Sequence, residues 1–394
     1  MKKIVVSALA FALSLTALAQ TTENLSDQLN PLLTGVPSLS IGPDAVAGGM
    51  ADIGVATTPD VNSQHWNSSK YAQATSSAGF AFSYTPWLRS LGVNDIDLAY
   101  VSGYYKISDL VGTVSASLRY FSLGEIQLRE NAYSTPIPVK PYELAFDAAY
   151  SRLLAENFSM GVAFRFIASD LSARSEEYYP GYSFSADING YYALPIDIKT
   201  GESKLGIGFN LSNLGTKVSY DKGETSNFLP TDLRLGVSYL VPFDRYNRLS
   251  ISADFDKLLV PSRKSKFTTG YDPNDDKTWA MSDEQYNNLS VMKGLAWSFA
   301  DAPGGFAEEM SEINFAIGAE YAYNEQFFAR AGYHNESVNK GNRKYFTVGA
   351  GFKMSAFKLD VGYVVSMAQN NPLDQTLRFS LAFDVDGIKA LVDK

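Results

Sequence analysis

The chain has 394 residues, with 33 Lys and Arg against 42 Asp and Glu for a formal net charge of −9, and it contains no cysteine. Disulfides, thiol nucleophiles and thiolate metal sites are therefore excluded, and the acidic balance lacks the clustered cations that nucleic-acid phosphates demand. Its 24 Tyr and 24 Phe, set against only 4 Trp, suit strands with one apolar and one polar face.

Residues 1–19 read as a secretory signal: Lys2 and Lys3, an apolar run from Ile4, then Ala17-Leu18-Ala19 before Gln20. The run is too short and too interrupted by serine for a spanning helix, which needs about 20 apolar residues. Residues 20–75 follow neither helix nor strand periodicity well. Within them PDAVAGGMADIGVATTPDVNSQHWN, residues 43–67, is glycine-rich and weakly apolar. Gly48, Gly49 and Gly54 would allow tight turns and close approach to a neighbouring surface.

From about residue 79 apolar and polar residues alternate with period two, the mark of a sheet with two different faces. In KLGIGFNLSNL, Leu205, Ile207, Phe209 and Leu211 oppose Gly206, Gly208, Asn210 and Ser212. Segments of this kind centre near residues 82, 101, 117, 148, 164, 188, 208, 235, 252, 317, 331, 348, 361 and 380. An even count of strands, each about ten residues and tilted, fits a bacterial outer-membrane barrel. The expected fold is all-β: a transmembrane antiparallel barrel of about 14 strands over residues 76–385, followed by a tail, 386–394.

Links after even-numbered strands are brief, and those after odd-numbered strands are longer, the longest being residues 259–311. Barrels of this class keep short turns on the periplasmic side, so the N-terminus is expected there and the long loops outside the cell. Arg119, Asp147, Arg165, Asp187, Arg234, Asp254, Glu320, Arg330, Lys353, Lys358, Asp360 and Arg378 share the polar phase, assigned to the lumen. Tyr104, Tyr105, Tyr120, Tyr191, Tyr192, Tyr321 and Tyr323, near strand ends, read as girdle residues at the lipid headgroups. A barrel of this width exceeds what its own side chains can fill. Residues 20–75 are therefore expected to fold back as a luminal plug, the alternative being an ordered periplasmic extension.

Residues 38–72 resemble the N-terminal region of the PorV family of type IX secretion proteins, distant relatives of the FadL transporters. The shared pattern here is Ile41, Pro43, Asp44 and Ala45, then Gly49 and Met50, Gly54 to Thr57, and Trp66 with Asn67; Val46 and Ser68 depart from it. The resemblance implies a plugged barrel in the outer membrane of a Gram-negative, Bacteroidetes-like bacterium, in contact with membrane lipid. It further implies binding of cargo by a C-terminal secretion domain, receipt from an SprA-type translocon and hand-over to a PorU-type sortase. A FadL-like channel for hydrophobic small molecules is the alternative.

The long loop carries the candidate partner-binding residues Tyr271, Asp272, Trp279, Trp297 and Phe299, as exposed aromatics in a recognition element would be arranged. Asp272, Asn274 and Asp276 alternate as calcium ligands can, but Lys277 stands where such a loop requires glycine, so a solvated acidic loop is expected. The two histidines, His65 and His334, lack the serine and orienting group of a hydrolase triad. His334 is read as a hydrogen-bonded lumen residue and His65 as a tie to plug backbone. No catalytic, cofactor or metal residues are assigned, and the chain is read as a non-enzyme.

Overall fold

The structure is a computed structural model that describes residues 30–89, 92–129, 135–171, 179–367 and 373–392; the expected signal segment lies outside these residues. Fourteen strands close into one antiparallel barrel. They are β1 Ala78–Pro86, β2 Ile96–Ser108, β3 Gly112–Leu123, β4 Tyr142–Ala155, β5 Phe158–Asp170, β6 Gly181–Ile198 and β7 Gly201–Gly215. The second half holds β8 Asp232–Pro242, β9 Asn247–Leu258, β10 Ile313–Tyr323, β11 Phe327–Asn335, β12 Lys344–Met354, β13 Phe357–Ser366 and β14 Leu377–Asp384. Each pairs with its sequence neighbours, and β1 closes the wall against β14 over the short register Gly79↔Asp384 to Tyr84↔Phe379. All fourteen expected centres fall within these strands.

One end of the barrel carries only short turns, at 109–111, 156–157, 199–200, 243–246, 324–326 and 355–356. The other carries the longer links, including a two-stranded ribbon (Ile126–Leu128 with Ile137–Val139) and the insertion between β9 and β10. After β14 a short helix, Val385–Val392, occupies most of what the sequence suggested was a tail.

Alternation sorts the side chains as the pleat requires. Ile251 and Phe255 are exposed on the outer face while Ser252 and Asp254 are buried within. The same rule corrects the aromatic girdle, because adjacent residues in a strand cannot both face lipid. Tyr105, Tyr120, Tyr192, Tyr321 and Tyr323 point outward. Tyr104 and Tyr191 are buried in the lumen, Tyr104 stacked on Tyr71 at 4.7 Å.

Charges assigned to the lumen do lie there, and several of the buried ones form ion pairs, while Arg119 and Asp254 bond to the plug. Arg165 bridges Asp147 and Asp187 at 2.9 and 2.8 Å, and Arg330 bridges Glu320 and Asp360 at 2.6 and 2.8 Å. A guanidinium that forks between two carboxylates keeps the desolvation cost of these ions offset by directed hydrogen bonds.

The plug crosses the lumen. Its described chain begins at the long-link end, where Asn30 donates to the Asn339 and Lys264 carbonyls, and it reaches β1 at the opposite end. The described N-terminal segment thus runs the length of the barrel before β1 begins, as the expected luminal plug would. Short helices, α1 Ala45–Gly48 and α2 Ser63–Trp66, and 3₁₀ turns at Pro37–Ser40 and Ser68–Gln73 make up its regular structure.

Segments this short leave most backbone groups without internal partners, and the wall supplies them. Ser380 Oγ accepts from Ala45 N at 2.8 Å, Thr347 Oγ1 from Ala51 N at 2.8 Å, and Asp254 Oδ2 from Gly54 N and Val55 N at 2.9 and 3.1 Å. Close approach is possible because the facing wall positions are glycine. A Cβ at Gly332 would lie 2.5 Å from the Met50 carbonyl carbon, one at Gly208 2.5 Å from the Val55 oxygen, and one at Gly349 2.9 Å from the Gly49 Cα. The plug glycines serve contact rather than turning. The left-handed positions in this stretch are Ala51 and Asp52, with φ of 60° and 64°, while Gly49 has φ −75°.

Replacing Gly332 by valine is expected to lift the plug from β11, at an overpacking cost of about 1–3 kcal/mol, while the barrel still assembles. Faster proteolysis within residues 43–67 together with retained heat-dependent gel mobility is the expected result; an unchanged digestion pattern would count against the contact.

Candidate functional site

The plug motif converges on one buried carboxylate. Asp44 caps α1, its Oδ1 accepting from Val46 N and Ala47 N at 3.0 and 2.9 Å, while its Oδ2 accepts from Trp66 Nε1 at 2.6 Å. Capping fixes the start of the helix, and the indole bond ties that start to residues 22 positions later. Gly54 and Gly42 both lie against the Trp66 ring, where any Cβ would collide. Asn67 extends the lock to the wall, its Nδ2 donating to Val55 O and Gly190 O, each at 2.9 Å. Pro43 and Met50 are buried beside it, Met50 packing with Ile53 in the largest luminal cluster.

Both histidines differ from expectation. His65 Nδ1 accepts from Arg119 Nη2 at 3.0 Å and its ring meets Trp66 edge-on, so it joins side chains rather than backbone. His334 does face the lumen, but among the described residues neither ring nitrogen has a hydrogen-bond partner, and the ring stacks on Tyr345 at 4.8 Å. Aromatic stacking, invisible in the sequence, positions it instead. Arg378, an inward residue of β14, holds Asp52 of the plug in an ion pair to which Tyr345 Oη also donates at 2.8 Å.

The plug leaves one cavity on each side. Towards the short turns lies a space of about 630 Å³ bordered by Thr57 to Asn62, Glu320, Lys353 and Lys358. Towards the long links lies one of about 380 Å³ bordered by Asp52, Trp87, Asp256, His334 and Arg343.

Above this second cavity the β9–β10 insertion packs Val260, Met281, Tyr286 and Leu289, with Val291 and Trp297, around Phe228 of the β7–β8 link. Three helices organise it, α3 Asp283–Asn288, α4 Val291–Trp297 and α5 Phe306–Ser311, α3 beginning in a capping box of Ser282 and Gln285. Trp297 tilts against Phe267 at 4.9 Å, half-buried. Tyr271, Asp272 and Trp279 form one turn, in which Trp279 Nε1 donates to the Asp272 carbonyl at 2.9 Å. The Asp272 Oδ1 accepts from Asn274 N, and the Asp275 Oδ1 from Lys277 N, so these carboxylates cap turns, as a solvated acidic loop does. Phe299 is 51% exposed, and sequence reasoning missed its neighbours in exposure: Met292, Phe306 and Met310. Met292 lies on α4 and Phe299 just beyond its end, and their shared exposure could be read as a surface only once the other side of the insertion was known to be covered.

The insertion is clamped to the barrel rim by buried charge. Lys257 at the end of β9 reaches Glu309 and Glu312 at 3.1 and 2.5 Å, and Lys340 of the β11–β12 link reaches Glu308 and Glu312 at 2.7 and 2.9 Å. Asn30 Nδ2 donates to Glu308 at 3.0 Å, which brings the start of the plug into the same clamp. Asp301, Glu309 and Glu312 have carboxylate oxygens within 4.8 Å of one another, a grouping that could take a cation, but the two ammonium groups already occupy it.

Burial, reinforced by Glu312 and Glu309, pushes the Asp301 carboxyl up to about 7. Its proton is held more tightly in the folded loop than in the unfolded chain, where an aspartate titrates at about 4. The resulting stabilisation is complete below that lower value and is lost as pH rises through 7. Proteolysis within the insertion, normalised to a reference substrate, is thus expected to be faster at pH 8 than at pH 6. Asp301→Asn should be protected equally at both, and a variant that keeps the wild-type pH dependence would show that another group is responsible.

The Trp66–Asp44 bond is tested separately. Trp66→Phe leaves a buried carboxylate oxygen without its donor and should cost about 1–3 kcal/mol. A lower midpoint of heat unfolding is expected, and an unchanged midpoint would deny the lock its role.

Comparison with known proteins agrees with this geometry. The family model described as type IX secretion system protein PorV matches residues 23–265. No curated protein matches the chain. Among solved structures, the TodX ΔS2S3 mutant, a monoaromatic hydrocarbon channel, is similar with a TM-score of 0.51 at 10% identity over 87% of this chain and 98% of that one. A Pseudomonas aeruginosa FadL homologue (TM-score 0.45, 11% identity, 90% and 99% covered) and the Ralstonia pickettii toluene transporter TbuX (0.44, 12%, 87% and 97%) also match. At such identities the likeness concerns the fold, a FadL-like outer-membrane barrel. With a family match over residues 23–265, more than half of its length, the chain belongs to the PorV family of type IX secretion system outer-membrane proteins.

Proposed function

We propose that this barrel is the carrier of the type IX system: its long-link end faces the cell exterior and holds cargo by the C-terminal secretion domain. Cargo is received from an SprA-type translocon and passed to the attachment complex containing a PorU-type sortase. The observation that carries this reading is the β9–β10 insertion, which shares a core with Phe228 of the β7–β8 link and is clamped to the rim, yet leaves Met292, Phe299, Phe306 and Met310 exposed. A platform held rigid from beneath with methionine and phenylalanine on top suits binding of many related partners, since thioether side chains adapt to varied surfaces. Phe299 is the central contact, Trp297 supports it from below, and Tyr271, Asp272 and Trp279 form a second contact at the turn.

The work is capture and release, and it needs no catalytic group. A channel for hydrophobic small molecules has less to use here, because the inward phase is rich in Arg, Asp and Ser and the plug occupies the middle of the lumen.

Deleting residues 270–300 spares the clamp residues Lys257, Asp301, Glu308, Glu309, Glu312 and Lys340. The deleted form is expected to insert and show normal heat-dependent mobility while co-purifying no cargo. Cargo recovered at the wild-type level would sink the proposal.

A further inference from the structure

The cavity between the plug and the long links has an unbalanced wall. Three arginines border it, and each is committed elsewhere. Arg378 pairs with Asp52, Arg234 Nε with Asp232 at 2.5 Å while its guanidinium lies over the Trp66 ring, and Arg343 with Glu336 at 2.7 Å. Asp254 is spent on plug amides. Asp256 is the carboxylate left over. Its direct hydrogen bond is from the neutral amide of Asn314, Nδ2 to Oδ2 at 2.9 Å; Arg234 and Arg343 act on it only from longer range, and among the described residues no cation stands within ion-pair distance of it.

A second observation points to a guest. His334 is 8% exposed and borders the same space, yet both its nitrogens lack partners, as does the buried indole Nε1 of Trp87. Buried polar groups are nearly always satisfied, so a cavity of about 380 Å³ with several orphaned ones is a place where hydrogen-bonding groups arrive from outside.

We infer that this cavity is a receptor for one basic side chain, a guanidinium or ammonium on an apolar stem, borne by the polypeptide that the loops hold. The assignment of the source rests on the carrier reading above. The cationic head meets Asp256 and donates to a nitrogen of the neutral His334 ring. Its stem lies along Ile41, Leu258 and Leu373, which border the space, and Trp87 Nε1 is free for a main-chain carbonyl of the guest. A charge-assisted bond made in a site partly shielded from water is stronger than the same bond at an open surface, which gives the cavity preference for a cation over an isosteric neutral group.

The test uses the purified full chain in detergent and a fluorescein-labelled pentaglycine with its central residue changed to arginine, norleucine or glutamate, read by fluorescence polarisation. Binding of the arginine probe alone is expected, weakened at least tenfold by Asp256→Asn and restored by Asp256→Glu. Ala316→Phe, which fills the space and leaves the charge in place, should also abolish it. Failure of the wild-type protein to bind the arginine probe, or equal binding of the glutamate probe, overturns the receptor. Cargo pull-down with the same variants decides the source. Lost recovery supports a cargo side chain, whereas full recovery by a variant blind to the probe overturns that source in favour of a free small cation. Neither result alters the outcome for the loop deletion, so failure of the cavity and failure of the carrier reading are told apart.

Discussion

Everything inside this barrel depends on main chain lying directly against main chain. Fourteen strands enclose more space than their side chains fill, and the protein fills the middle with irregular backbone, which brings unsatisfied N–H and C=O groups into a water-poor interior. Glycine at Gly208, Gly332 and Gly349 lets the plug come close enough for Ser380, Thr347 and Asp254 to satisfy those groups. Enlarging any of these glycines would separate the plug from its donors and acceptors at once.

The plug then needs only a few internal ties. Asp44 does two tasks with two oxygens, capping a one-turn helix and holding the Trp66 indole, and Asn67 carries the fixation onward to the wall. A helix of four residues has no stability of its own, so its geometry is imposed from outside by these bonds. Arg378 and Arg119 work in the same sense from the barrel, each a wall cation reaching plug oxygens.

Charge is treated differently at the rim. In the lumen wall, Arg165 and Arg330 each fork between two carboxylates; at the long-link end Glu308, Glu309 and Glu312 share two lysines, and Asp301 beside them has its carboxyl pushed up by burial and by those neighbours. The clamp therefore holds the insertion to the barrel with a stability that answers to pH near neutrality. Directly under the platform, Asp256 and His334 leave the outward cavity with polar groups unspent.

Strand number, the lumen phase and the alternation of short and long links were legible in the sequence because each depends on local periodicity, and a period of two fixes both which residues form a strand and which face each one takes. Arg165 or Asp360 could be placed inward without knowing any neighbour. The plug motif was visible as a pattern, and its residues do gather at one site. What could not be read were relations across the lumen: that Trp66 donates to Asp44, that wall glycines admit the plug, that Tyr104 and Tyr191 turn inward, and that His334 stacks instead of hydrogen-bonding. Which loop aromatics are exposed was equally hidden, since Trp297 ends α4 half-buried while Phe299, two positions on and beyond the helix, is exposed. Sequence determined the barrel, because strand patterning is a property of a dozen consecutive residues; only tertiary structure decided the plug lock, the clamp and the outward cavity, because their partners lie tens to hundreds of residues apart and meet only when the barrel closes.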